Sequence, residues 1–114
     1  MSNETQEFFE KAKKGFEKMK EQSPDMVNAF SGMFGKIMKD GAISLKEKEL
    51  IALGIGVAMH CEPCIRMHTQ KCLAAGATKE QILEAAAVAV VMAGGPAYTH
   101  VPLVIDTLET LTSK

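Results

Sequence analysis

The chain has 114 residues, enough for one domain and not two. Its formal charge of −1 lacks the basic excess that phosphate binding needs, which excludes nucleic acid as the main partner. Apolar residues make up 46% but aromatics only 5%, and tryptophan is absent, so the core must be built from Ala, Val, Leu, Ile and eight Met.

No apolar run reaches the roughly 18 residues of a membrane span, so no membrane partner is expected. Met1-Ser2-Asn3-Glu4 lacks the basic and apolar regions of a signal peptide. A cytoplasmic location is therefore expected. In that compartment a Cys-x-x-Cys pair more often does chemistry or binds metal than serves as a permanent staple.

The periodicity predicts an all-α chain of about six helices, with 1–43 holding N-terminal helices and 44–114 a motif-bearing core of one domain. Phe8, Ala12, Phe16 and Met19 recur at three or four residues and mark one apolar helical face. The lysines interleaved with glutamate in this segment read as a solvated face. Ser23-Pro24 offers an N-cap and a proline at the first helical position. Met26, Phe30, Met33, Phe34, Ile37 and Met38 continue the helical period until Asp40-Gly41 ends it. Ser44-Leu45-Lys46-Glu47 is a capping box that opens a third helix. That helix is apolar on nearly every side from Leu50 to Met59, with Gly54 and Gly56 placed to let a neighbouring backbone approach. Pro63 forces a new helix start near Cys61, and that helix runs to about Ala75 with Gly76 just beyond it. Thr78-Lys79-Glu80-Gln81 is a second capping box. The helix after it is apolar all round from Ile82 to Ala93, apart from Glu84, until Gly94-Gly95-Pro96 stops it. A last amphipathic helix carries Val101, Val104, Ile105, Leu108 and Leu111. No segment alternates with period two, so no strand is expected. Two helices apolar on all faces are hard to bury in so short a monomer, which predicts self-assembly through helix faces.

The chemistry concentrates at Cys61-Glu62-Pro63-Cys64 and His68. Cysteines at a helix start lie against unpaired backbone N–H groups, which favour thiolate. His68, four residues after Cys64, projects from the same helix face and can take its proton. Glu49 stands where the apolar run of the third helix begins and could orient His68; Glu47 is an equal candidate on sequence alone. At about 1.5 Å rise per residue, Glu49 lies roughly 16–18 Å before the turn and His68 about 6 Å beyond Cys64. A strict antiparallel hairpin does not bring them level. A crossing angle, a bend at Gly54 or Gly56, or a bridging water is needed. Register with His68 favours Cys64 as the first nucleophile, with the reverse order left open.

The pattern Glu49, eleven residues, Cys61, two residues, Cys64, three residues, His68 resembles the motif of AhpD-like alkylhydroperoxidases within the carboxymuconolactone decarboxylase family. The likeness runs over about 44–111. It implies an all-helical fold that assembles as a homotrimer or homohexamer. It implies a dithiol that reduces hydroperoxides or disulfides and is itself reduced by an external dithiol. Glu49 and His68 would relay a proton to Cys64, and Cys61 would be its disulfide partner. Some members carry a His inside the pair, where this chain has Glu62-Pro63. An acid beside the thiols raises their pKa and opposes the helix dipole. The decarboxylases that name the wider family generally lack the cysteine pair, so decarboxylation is not carried over.

Two rival readings remain. Cys61, Cys64 and His68 could hold Zn²⁺, but Cys72 lies about 12 Å along the helix from Cys64 and cannot share the ion. A fourth ligand would have to be His60, His100 or another subunit. Alternatively, the chain is a non-catalytic redox-sensing scaffold. No cofactor is expected, since a c-type haem needs a histidine where Ile65 stands. Cys72 reads as a small buried hydrophobe, His60 as a weak neighbour of the pair, and His100 as structural.

Overall fold

A computed structural model describes residues 3–113; Met1 and Ser2, at the start of the segment read above for targeting, lie outside it. The described residues form seven helices and no strand. They are α1 (Glu4–Gln22), α2 (Pro24–Ile37), α3 (Leu45–Ala58), α4 (Glu62–Ala74), α5 (Lys79–Ala93), α6 (Gly95–Tyr98) and α7 (Val101–Thr112). The all-α class is as expected. The seventh helix is the single turn α6, which follows where Gly94-Gly95-Pro96 was read only as a stop. The chain divides into two compact units, one up to Lys39 and one from Asp40 onward.

In the first unit, α1 begins at a capping box that the sequence reading passed over. The Gln6 N–H donates to Asn3 Oδ1 at 2.9 Å and the Asn3 N–H to Gln6 Oε1 at 3.2 Å. Phe8 and Phe9 meet edge to face, with ring centroids 5.2 Å apart. Ser23 stands at the N-cap of α2, but its side chain makes no capping bond. Pro24 at the first helical position starts the helix instead, since proline pushes the preceding residue out of helical φ/ψ. No residue of α2 is buried, and Met26, Phe30, Met33 and Ile37 leave an apolar stripe exposed.

In the second unit, α3 packs against both α4 and α5, and α7 packs against α4. Leu53, Val57, Ile65, Ile82 and Val104 are fully buried at these contacts. Each such side chain contributes about 1.5–3 kcal/mol. Both expected capping boxes are present. The Glu47 N–H donates to Ser44 Oγ and the Ser44 N–H to Glu47 Oε1, each at 3.1 Å. The Gln81 N–H donates to Thr78 Oγ1 at 3.1 Å and the Thr78 N–H to Gln81 Oε1 at 2.9 Å.

Two helices end in the same paired backbone bonds. At the end of α4, the Ala77 N–H reaches Cys72 O and the Gly76 N–H reaches Leu73 O, both at 3.0 Å. Gly76 takes the left-handed conformation this Schellman turn requires, at φ +94°. At the end of α3, the Cys61 N–H reaches Gly56 O at 3.0 Å and the His60 N–H reaches Val57 O at 3.2 Å. Here a histidine holds the left-handed position, with His60 at φ +58°. A residue bearing a Cβ is disfavoured there by roughly 1–2 kcal/mol.

The turn sends α4 back across α3 at very short range. A methyl group placed on Gly56 would come within 3.1 Å of Cys64 Cβ, so only glycine fits without a shift. Gly54 allows a looser approach to α5, where a Cβ would lie 3.6 Å from Ala85 O. The helices that are apolar all round do leave apolar surface in solvent. Ile51 and Ile55 of α3, and Val88, Val91 and Met92 of α5, are at least half exposed. Ile51, Ile55, Val88 and Met92, with Gly54 and Ala85, line an open apolar groove of about 470 Å³ between the two helices.

Two glycine-to-alanine changes should have opposite signs. Gly15 lies within α1 with nothing near its missing side chain, so Gly15→Ala should stabilise α1 by about 1 kcal/mol through helix propensity. Gly56→Ala gains the same propensity but meets Cys64, and should lower the urea midpoint. Urea melts of the two variants beside the parent chain check both.

Candidate functional site

The candidate residues lie on α3, at the start of α4 and along α4. Glu49 lies on the second turn of α3 and is only 4% exposed. Its Oε1 is 2.7 Å from Nδ1 of His68 on α4. A carboxylate has no proton to give, so the Nδ1–H donates and the lone pair is left on Nε2. The contact is direct and needs no bridging water. The apparent mismatch of lengths disappears because the helices meet at Gly56 and Cys64, not at the tip of the turn. From that point Glu49 is about 10 Å back along α3 and His68 about 6 Å forward along α4, a difference the two side chains span.

Glu47, the equal candidate on sequence, is excluded by its capping role. Its carboxylate accepts from the backbone and hydroxyl of Ser44, and these bonds hold its pKa below the usual carboxylate value.

Cys61 and Cys64 are joined by a disulfide, with Cα atoms 5.2 Å apart. Cys61 is the N-cap of α4, and its Sγ accepts the Cys64 N–H at 3.2 Å. Pro63 stands in the first turn, where a missing N–H costs nothing. The sulfur thus occupies the position in which a serine or aspartate oxygen normally caps a helix. The structure pairs Glu49 with His68 and Cys61 with Cys64, on two helices that meet at Gly56 and Cys64.

Arg66 and His60 go beyond what their sequence positions imply, whereas Cys72 matches its expectation. Arg66, which the sequence reading did not single out, is 6% exposed and sits 3.8 Å from the Glu62 carboxylate. Its sequence signal was the Glu-to-Arg spacing of four on one helix face. His60 is more than a neighbour of the pair, because its ring stacks on His100 with centroids 5.0 Å apart. His100 is held in turn, its Nδ1–H donating to Pro96 O at 2.7 Å. Cys72 is the buried hydrophobe expected. Burial first, and the Glu49 charge second, push its thiol up to about 12. Among the described residues, no three His, Cys, Asp or Glu side chains form a group that could hold a metal ion.

A model of the carboxymuconolactone decarboxylase family matches residues 24–106. The chain belongs to that family. The match spans the cysteine pair, Glu49 and His68, in keeping with the AhpD-like motif. An uncharacterised protein of Cupriavidus necator is 37% identical over 73 residues, 64% of this chain and 65% of that one. The chain thus matches just under two-thirds of that relative's length. Another, described as uncharacterised protein 4 in the cox locus of Paracoccus denitrificans, is 34% identical over 84 residues, 74% of this chain and 76% of that one. The crystal structure of an apo carboxymuconolactone decarboxylase family protein from Legionella pneumophila superposes with a TM-score of 0.93 at 30% identity, covering 98% of this chain and all of that one. A family member from Thermotoga maritima, for which a part in an antioxidative response is suggested, superposes with a TM-score of 0.79 at 28% identity, over 92% and 89% of the two chains.

Burial divides the three thiols of this family member into two classes. After reduction, iodoacetamide near pH 8 should modify Cys61 and Cys64 and leave Cys72 until denaturant is added; mass spectrometry of the alkylated chain reads this. The folded Cys72 pKa lies above the unfolded value of about 8.5. The neutral thiol's contribution is therefore complete below that value and is lost as pH rises towards 12. Cys72→Ala should flatten the alkaline decline in stability between those limits.

Proposed function

We propose that this protein is a thiol-dependent oxidoreductase, a hydroperoxide or disulfide reductase whose Cys61–Cys64 dithiol is activated by a Glu49–His68 relay. The observation that carries the reading is the 2.7 Å bond between the buried Glu49 carboxylate and His68 Nδ1. That bond supports reading the histidine as a base, and His68 shares a helix face with Cys64. The part in an antioxidative response suggested for the Thermotoga protein accords with it.

His68 Nε2 takes the Cys64 proton and Glu49 stabilises the imidazolium that results. The thiolate attacks the peroxide, the O–O bond breaks, and the leaving alkoxide receives the proton from His68. Cys64 is now a sulfenic acid. Cys61 attacks its sulfur, water leaves, and the disulfide closes. The cycle ends when an external dithiol reduces the pair by exchange and is itself oxidised. In that exchange Cys61 has a stabilised leaving thiolate, because the Cys64 N–H already points at its sulfur. A disulfide substrate would enter by the same exchange run in reverse.

Two further expectations belong to this reading. The chain assembles as a homotrimer or homohexamer, which would cover the apolar stripe of α2 and the groove between α3 and α5. Light scattering that shows a stable monomer at micromolar concentration would sink this. The protein acts in the cytoplasm, where a reducing pool keeps a dithiol cycling; among the described residues, no helix is long and apolar enough to cross a membrane.

Stoichiometric peroxide added to the reduced protein should remove two thiols per chain and leave Cys72. Glu49→Gln should slow that loss about 100-fold, in the range of general acid–base contributions. With peroxide, Cys61→Ser should accumulate a sulfenic acid and Cys64→Ser should not. The opposite result makes Cys61 the first nucleophile. If both cysteines stay reduced, peroxide reduction fails, and turnover of a small disulfide decides whether disulfide reduction survives.

A further inference from the structure

Arg66 carries a buried charge two residues beyond Cys64. It lies on α4 with 7% of its side chain exposed, whereas its partner Glu62 is 60% exposed. Glu62 is the first residue of α4 and stands between the two cysteines in sequence. Its negative charge competes with thiolate for the same helix start and opposes ionisation of either sulfur. A guanidinium four residues on is in the favourable register to meet that carboxylate.

The asymmetry of exposure is informative. An exposed carboxylate moves freely and is screened by salt. A buried guanidinium is held by its surroundings, and its field is screened far less. Arginine also keeps its charge across the whole range in which thiols titrate, which a buried lysine does not. Other titratable groups near the pair include Glu49 on α3, His68 on α4, His60 in the turn, and His100 stacked on His60 ahead of α7. Glu49 is already matched by His68. Arg66 plays the corresponding part for Glu62.

We propose that Arg66 is a positioning residue for the dithiol, a fixed buried cation that offsets Glu62 and keeps the Cys61 and Cys64 thiolates accessible near neutral pH. This rests on reading the pair as a redox-active dithiol, and it does not depend on which oxidant the pair meets. It explains how an acid can sit inside the pair without suppressing its ionisation. It also sets a direction for the redox poise, because a charge that stabilises thiolate favours the reduced form and makes the disulfide more oxidising.

The test is the pH profile of iodoacetamide alkylation of the reduced protein, with the redox potential measured in a glutathione buffer. Arg66→Met should raise the apparent thiol pKa and slow alkylation at pH 7 by about three- to tenfold, the effect of half to one unit. Its disulfide should become harder to reduce. Arg66→Lys should recover part of the loss. Glu62→Gln, at an exposed position that does not endanger the fold, should shift the pKa down. Combining Glu62→Gln with Arg66→Met should return both readouts most of the way to the parent value. A purely structural role for Arg66 predicts that Glu62→Gln shifts the pKa no more in the Arg66→Met background than in the parent chain. That result, or a Glu62→Gln profile superimposable on the parent, overturns the proposal. Neither readout uses peroxide, so loss of the peroxidase reading would leave this result standing.

Discussion

Gly56 and Cys64 meet where α3 and α4 cross, and the second unit is arranged around that contact. A Cβ at Gly56 would lie 3.1 Å from Cys64 Cβ, so the crossing is as close as two helices with a cysteine between them allow. The turn that precedes it is equally tight. Cys61 bonds back to Gly56 O while its own sulfur caps the next helix. The same few residues therefore end one helix, start the next and hold both sulfurs. From this fixed point Glu49 and His68 extend along their helices and meet at 2.7 Å. Residues that line the core, such as Leu53, Val57 and Ile65, fill the space on either side of the crossing.

Electrostatics in this small region follow from what burial permits. A carboxylate as buried as Glu49 is costly unless a hydrogen-bonded partner faces it, and His68 is that partner. Cys72 lies on the same helix face as Cys64 and His68, but burial and the Glu49 charge keep its thiol protonated. The difference between the Cys61–Cys64 pair and this third cysteine is therefore one of position. Cys61 and Cys64 sit at a helix start that welcomes negative charge, while Cys72 lies deep in a helix beside a carboxylate. His60 shows the same economy in the backbone. It holds a left-handed turn position that suits glycine, and its ring stacks on His100.

The helices were legible in the sequence because their signals are local. Capping pairs at Ser44 and Glu47 and at Thr78 and Gln81, the proline of the α4 start and Gly76 each act within one turn of chain. The single turn α6 was not legible, since Gly94-Gly95-Pro96 signals a stop whether or not a helical turn follows. The Asn3 and Gln6 box that opens α1 is an equally local signal. Of the site, the cysteine pair and His68 were readable from spacing on one helix. Arg66 was readable in principle, as a partner four residues from Glu62, but not its burial.

The sequence by itself determined the all-helical class, the boundaries of α3, α4, α5 and α7 to within a residue or two, and the candidate groups for chemistry, because each depends on neighbours within about one helical turn. It left Glu47 and Glu49 level and could not reconcile the lengths of α3 and α4. Only the tertiary structure separated them. Choosing between carboxylates two residues apart depends on which helical face turns inward, and Glu47 proved to be committed to its cap. Bringing Glu49 to His68 depends on where two helices cross, which is set by the absence of a side chain at Gly56 and by packing across residues distant in the chain.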